Sequence, residues 1–352
     1  MEEEKRLYPL CFEPIEAEHP WGKESYLLAD LGVVDSEAST GWLKGDSLSD
    51  IMETYIDRMV GDNVYYYFGR QFPVAVRRLS VTGRTPVWVC PDDKIAGERY
   101  DALGKEKLWH VVSAAPDARL YLGLDHDMTA TEFYRACMEG TLGTDLHAVT
   151  PKAGEWYWIA PGVLHAAQGV ELVEISEASL LDIKVFDWGA FLDSEDLGAV
   201  DAIDFVRLQA HVPSAPAAHR HEDPLADVLA DGDVLTVTRI RLEQAMHIDG
   251  ERFDGFLAYT CVAGAATLSV GGDPVTYVIG KGETLLVPAE SPDLVLVPQD
   301  RATVLLETTA HGGAEPDSYI NTDAEPYLEG EDYSKDEDLD DRIDWSLAHP
   351  DV

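Results

Sequence analysis

The chain has 352 residues, enough for two ordinary domains, with the apolar and aromatic content of a folded protein. Its 26 Lys and Arg stand against 66 Asp and Glu, a formal charge of −40. A surface this acidic repels phosphate backbones and anionic headgroups, which excludes nucleic acid and membranes as expected partners.

Four cysteines (Cys11, Cys90, Cys137, Cys261) lie far apart with no CxxC spacing. Residues 1–6 read MEEEKR, without a basic region followed by an apolar one, and no run approaches the roughly 18 apolar residues of a membrane span. A reducing, cytoplasmic setting is expected.

In chain order, the first strong element is a helix. Ser47 offers an N-cap, Ile51, Met52, Tyr55, Ile56, Met59 and Val60 share a face, and Gly61 is a stop. Pro91-Asp92-Asp93 reads as a turn. A second helix is expected from Thr129 or Thr131 to Glu139, ended by Gly140. Most of the remainder consists of short apolar runs broken by Gly, Pro, Asp and Asn, the pattern of β-sandwiches and barrels.

Two segments share a layout: Lys152–Gly162 (KAGEWYWIAPG) and Gly280–Ala289 (GKGETLLVPA). Each is a Gly-acid turn, an apolar strand and a Pro-containing turn. A separation of about 130 residues is too long for a solenoid repeat. It predicts two related β-barrels, with a boundary in the Pro/Ala/His-rich stretch Val212–Pro224. From Glu315 onward the chain is acidic and expected to be a solvated tail, with Tyr327, Tyr333 and Trp345 the residues that would pin it to the body.

Several ordered motifs resemble the type I mannose-6-phosphate isomerase family. Phe72–Arg77 (FPVAVR) followed by Val87–Asp93 (VWVCPDD) is similar to that family's FPLLVK…Q-x-HPDD, with the same intervening length. Gly104–Trp109 (GKEKLW) resembles its GK-x-E-x-W, and Ala160–Ala166 (APGVLHA) resembles its PxGTxHA. Glu174-Ile175 and Lys184–Trp188 (KVFDW) resemble LEIQ…TYR-x-YDW. These cover most of residues 7–190, and the second barrel matches more loosely.

The resemblance implies an all-β fold of two cupin (jelly-roll) barrels with a small helical insertion. The expected units are an N-terminal cupin domain over 1–210, a C-terminal cupin over 225–312 and the tail over 313–352. It also implies a zinc site held by the Gln and His of Q-x-H, the Glu of GK-x-E and the His of the HA motif. Residue by residue, these positions carry Trp88, Cys90, Lys107 and His165, and the Arg that assists catalysis in the family is Lys184.

The replacements decide the chemistry. Cys90 and His165 remain ligand types, whereas Trp88 offers only an indole N–H. A Lys107 ammonium about 4 Å from a dication costs about 8 kcal/mol at an effective dielectric of about 20. Strand alternation aims Glu106 and His110 away from the pocket, so neither rebuilds the site, and His126 precedes the second helix. His219-x-His221 is a weaker metal pattern in the linker, and Asp187-Trp188 is expected to close the first barrel.

Lys105, Lys107 and Lys184 are expected to surround a pocket holding Trp88, Trp109, Cys90 and His165. That set predicts binding of a sugar or sugar phosphate without zinc, with Lys105, Trp88, Trp109 and Lys184 contacting the ligand. Two bland readings stand beside it: Lys107 pairs with an internal acid, and Cys90 is an inert small hydrophobe rather than a thiolate activated by Lys107. The alternative function is a working isomerase of mannose 6-phosphate and fructose 6-phosphate. It would use a rebuilt zinc site through Cys90 and His165, or Lys107 and Lys184 as catalytic electrophiles.

Overall fold

The computed structural model describes residues 5–189, 198–211, 219–220, 225–250, 255–291 and 293–312. Most of the expected boundary segment, His221 within it, and the whole acidic tail with Tyr327, Tyr333 and Trp345 lie outside the described residues.

The first half supplies β1 (Leu10–Cys11), β2 (Ile15–His19), β3 (Gly22–Leu28), β4 (Val74–Arg84) and β5 (Val87–Val89). It continues with β6 (Lys107–Leu124), β7 (Leu146–Val149), β8 (Trp156–Ile159), β9 (His165–Glu177) and β10 (Ile183–Phe186). The second half supplies β11 (His219–Arg220), β12 (Ala226–Asp231), β13 (Leu235–Arg241), β14 (Met246–Asp249) and β15 (Leu257–Ala263). Its last strands are β16 (Ala265–Val270), β17 (Thr276–Gly280), β18 (Thr284–Val287), β19 (Asp293–Pro298) and β20 (Val304–Ala310).

The fold is all-β with helical insertions, two jelly-roll barrels side by side. The first barrel is one sheet in the order β10-β5-β9-β4-β3-β2, onto which β6 joins through β9 and brings β7 and β8. In the second, the sheet β1-β18-β15-β20-β13-β12-β11 faces a smaller sheet, β14-β19-β16-β17. One crossing breaks the sequence order: β1, from the start of the chain, pairs with β18 of the second barrel.

Both expected helices form, the first with a kink at Ile56, whose backbone is non-helical (φ 26°, ψ −105°). Helix α1 (Leu48–Val60) is capped by the Ser47 side chain, which accepts from Asp50 N. Before the other comes α2 (Asp62–Phe68) and then α3 (Asp93–Tyr100), which replaces the turn expected at Pro91-Asp92-Asp93. Asp92 caps α3 by accepting from Ile95 N, the usual task of Asp ahead of a helix. Helix α4 (Ala130–Glu139) starts on a full capping box between Thr129 and Glu132. Trp188 does close the first barrel, its indole donating to the Thr85 carbonyl at 2.7 Å. No helix among the described residues is long and apolar enough to cross a membrane.

A single apolar cluster runs from α1 and β4 through Leu108 and Ile175 to Leu235, Phe256 and Leu306, so the barrels share a core. Trp109, one residue from Leu108, belongs to a separate cluster inside the first barrel with Leu120, Leu172 and Trp21. Strand alternation on β6 produces that split. Glu106 reaches across the seam, where its carboxylate accepts from the backbone N–H of Asp233 (3.2 Å), Val234 (3.0 Å) and Leu235 (3.0 Å). Trp156 on β8 adds an indole N–H to the Leu229 carbonyl at 3.1 Å.

Removing the Glu106 carboxylate strands buried donors on the turn before β13. Glu106→Ala is expected to lower the unfolding free energy by about 2–4 kcal/mol in urea titration, near the cost of leaving such donors unmade. Exposed Glu53→Ala is expected to be nearly neutral.

Candidate functional site

The polar cluster inside the first barrel is built from β3, β4, β5, β6 and β9 and the turns beside them. Strand β4 gives Arg77, β9 gives His165 and Glu174, β6 gives Lys107 and Trp109, and β3 gives Glu24. Cys90 follows β5 and Lys105 precedes β6. Cross-strand register sets which of them meet. Glu174 lies opposite both Arg77 and Trp109, and Trp88 on β5 lies opposite both His165 and Lys184.

The organising residue is one that sequence reasoning missed, Asp182. It ends a tight turn in which Asp182 N donates to the Leu180 carbonyl and Leu181 N to the Ser179 hydroxyl. The turn aims the carboxylate into the barrel. Its Oδ2 accepts from Lys105 Nζ at 2.8 Å and from Arg77 at 2.9 Å. Its Oδ1 accepts from Lys107 Nζ at 2.5 Å and from the Cys90 thiol at 3.1 Å.

Arg77 forks further, to Glu174 at 2.7 Å and Glu24 at 3.1 Å, and the Trp109 indole donates to Glu174 at 2.6 Å. Three cations (Arg77, Lys105, Lys107) thus meet three carboxylates (Glu24, Glu174, Asp182). A group of charges this deeply buried persists only when each has partners.

Titration follows from those contacts. Burial alone would raise Asp182, but Lys105, Lys107 and Arg77 hold it well below the usual carboxylate range. Burial likewise opposes the charge on Glu174, and Arg77, Lys107 and Lys105 override it to hold that carboxyl at about 2. Burial works against the Lys107 ammonium, yet Asp182 raises it above an ordinary lysine. Lys105 shifts downward, chiefly through burial. Burial pushes the Cys90 thiol up to about 12, so it stays protonated rather than becoming an activated thiolate.

His165 completes the picture. Its Nδ1 lies 2.9 Å from the Val163 carbonyl, which assigns the ring proton there and leaves Nε2 as an acceptor. That lone pair faces Lys107 Nζ at 3.1 Å. Burial, then Lys107, lowers the imidazole pKa and keeps the ring neutral.

Cys90, His165 and Asp182 bring metal-type donor atoms within 4.8 Å of one another, the one such group among the described residues. The donor chemistry argues against their holding an ion as they stand. A metal needs the Nε2 and carboxylate lone pairs that the Lys107 N–H groups already take, and a thiolate where Cys90 is a thiol.

Lys107 therefore points inward, as alternation requires. Lys105 and Trp109, expected at a ligand's surface, lie under it instead: Lys105 is 4% exposed and Trp109 is fully buried. Asp182 and Glu174 draw their polar ends into the floor. Trp88 and Lys184 remain half-buried, and Trp88 meets Trp21 edge-on at 6.2 Å. Lys184 belongs to none of the described ion pairs. Glu106 faces the second barrel, and His126 sits outside beside Asp145 at 3.7 Å. His110, aimed away from the pocket, is buried against Arg239 with Nδ1 unpartnered, and burial takes its pKa down to about 4.

Comparison with known proteins now places the chain. No family model matches it. Bacillus subtilis YvyI, named for mannose-6-phosphate isomerase, is 24% identical over 273 residues, spanning 74% of this chain and 81% of that protein. The mannose-6-phosphate isomerase of Streptococcus mutans is 24% identical over 222 residues, 62% of this chain and 68% of its own. Among solved structures, the Bacillus subtilis mannose 6-phosphate isomerase superposes with a TM-score of 0.74 at 20% identity, covering 86% of this chain and 99% of that one. A zinc-bound mannose 6-phosphate isomerase superposes with a TM-score of 0.69 at 12% identity, covering 87% of this chain and all of that one.

The fold is that of a two-cupin protein. The chain is mannose-6-phosphate-isomerase-like in sequence and shares the fold of those enzymes, similar to proteins of carbohydrate metabolism.

Asp182→Leu leaves three cations facing two carboxylates, so it is expected to cost about 3–5 kcal/mol in denaturant titration. Lys107→Met leaves Asp182 with two cations and is expected to cost less. The double variant is expected to cost at least about 1 kcal/mol less than the sum. The pH sign follows from the lowered carboxyls. Their stabilisation is complete above the unfolded value near about 4 and is lost as pH falls through about 2. The decline between about pH 4 and 2 is expected to be shallower in the double variant than in wild type.

Proposed function

We propose that this chain binds a sugar or sugar phosphate at the mouth of the first barrel without zinc, and that it does not isomerise the ligand. The observation that carries the reading is the Lys107 ammonium. It stands 2.5 Å from Asp182 and 3.1 Å from His165, drawing on the lone pairs a dication would need.

Isomerisation between C1 and C2 needs a base and an electrophile that meets the developing enediolate charge. Lys107 is fully buried in an ion pair, so acting on a substrate oxygen would require it to leave Asp182. Trp88 and Lys184 fit binding better. They lie side by side on β5 and β10, half-exposed, an aromatic face for sugar C–H groups beside an ammonium for phosphate. Four free cysteines suit the reducing cytoplasm as its setting.

Protein produced with ample zinc is expected to hold far less than one zinc per chain and to give no turnover of mannose 6-phosphate in a coupled assay. A thermal shift with mannose 6-phosphate is expected to shrink in Trp88→Ala and Lys184→Ala. Stoichiometric zinc with chelator-sensitive turnover would establish the isomerase instead, and chelator-insensitive turnover would assign the lysine electrophile.

A further inference from the structure

A concavity lies in a different part of the molecule and shares no residue with the first-barrel cluster. It opens between the N-terminal stretch leading into β1, the loop at Thr40–Trp42, and the β16–β17 hairpin of the second barrel. Its volume is about 660 Å³, within the roughly 300–1,000 Å³ range of small-molecule sites.

Three aromatic rings form its walls. Tyr8 stacks near-parallel with Tyr277 at 6.4 Å between centroids and meets Trp42 at 5.9 Å. The walls are fixed rather than incidental. Tyr8 Oη donates to the Thr40 carbonyl at 2.7 Å and accepts from Leu43 N at 3.0 Å. Gly41 sits at φ +74°, and a Cβ there would meet Tyr8 Oη at 2.2 Å, so the loop closes against the ring only with glycine. Trp42 keeps 38% of its surface exposed, a large share for an indole.

The polar groups are few and of both signs. Arg6 gives one of its five N–H donors to the Gly271 carbonyl at 3.0 Å. Lys5 Nζ lies 5.0 Å from the Trp42 ring. Asp273 accepts from Val275 N at 2.8 Å and Tyr277 Oη at 2.7 Å and retains further lone pairs.

That combination selects a chemical class. A wholly apolar ligand would leave Arg6 and Asp273 without use, and a small inorganic anion would not engage three rings. A pyranose carrying a phosphate or carboxylate engages all of them. Its C–H face suits Trp42 and Tyr277, its hydroxyls can donate to Asp273, and its anionic group can meet Arg6, with Lys5 over the Trp42 ring just outside the lining. We propose that this cleft is a second binding site, for an anionic sugar, on the C-terminal barrel. The assignment rests on this lining alone and stands or falls separately from the first-barrel reading.

Cys11 lines the same cleft and is half-buried, whereas Cys90, Cys137 and Cys261 are buried. It is therefore a built-in reporter. Full-length protein would be labelled with a small maleimide, with and without millimolar mannose 6-phosphate, mannose, inorganic phosphate or AMP. Mannose 6-phosphate is expected to slow Cys11 labelling at least fivefold, with mannose and phosphate each weaker.

Trp42→Ala is expected to abolish the protection, Arg6→Ala to reduce mannose 6-phosphate to the level of mannose, and Trp88→Ala to leave it unchanged. Trp42 is partly exposed, so its fluorescence gives a second readout, lost in Trp42→Phe. Unchanged labelling and fluorescence with both sugars would overturn the proposal. So would protection that survives Trp42→Ala, equal protection by phosphate alone, or stronger protection by AMP.

Discussion

A positive charge sealed inside a β-barrel must be neutralised within a few ångströms, and that constraint shapes the first half of this chain. Lys107 is fully buried, and everything around it answers to its ammonium. Asp182 is turned inward from a loop to meet it, and Arg77 and Lys105 then balance Asp182 and Glu174. Glu24 takes the remaining arm of Arg77. The result is a neutral set of three positive and three negative groups where a metal centre would carry its charge on one ion. Such sets are seldom more stabilising than a well-packed apolar core of the same volume. What they supply is geometry, because each member is intolerant of losing its partner.

The same strand that carries Lys107 joins the two barrels. Along β6 the side chains alternate, so Lys107 and Trp109 enter the first barrel while Leu108 joins the shared core. Glu106, immediately before the strand, holds the turn ahead of β13 through three backbone N–H groups. Glu177, at the end of β9, is buried close to Glu106, Asp93 and Asp233, and burial, then those acids, raises its carboxyl well above the ordinary range. The seam between the barrels is therefore itself polar and specific. A shift of one residue in β6 would move the pocket and the seam together, so the site cannot be repositioned without disturbing the interface.

Much of this was legible beforehand. The Gly-acid turns and short apolar runs indicated two barrels, and the ordered motifs indicated which kind. Period-two alternation placed Lys107 inward and Glu106 and His110 outward. What escaped were residues that no period governs. Asp182 sits in a turn, yet it lies two residues from Lys184 at the entrance to β10, and that spacing was the available signal. Arg77 and Glu174 were visible inside the motifs, but only the cross-strand register puts them opposite each other. Helix α3 escaped because its centre is polar and contains Gly97, so its start at Asp92 resembles a turn. Lys105 and Trp109, expected at a ligand's surface, are buried in the cluster, since sequence gives the face of a strand but not how far a neighbouring turn closes over it.

The difference between an ammonium and a zinc ion is what the proposed zinc-free reading turns on. Zinc leaves a coordination position open and can polarise a substrate oxygen while its ligands stay in place. An ammonium has three N–H donors and no further capacity. Here two of them are directed at Asp182 and the neutral His165, and Glu174 lies 3.7 Å away on the same head group. To reach a sugar oxygen Lys107 would have to leave Asp182, exposing a buried carboxylate at the moment a second negative charge was forming nearby. In the proposed reading, the contacts that hold the Lys107 ammonium in the cluster keep it from a substrate oxygen. In the proposed binding reading, the half-exposed pair of Trp88 and Lys184 is the surface left to hold a sugar.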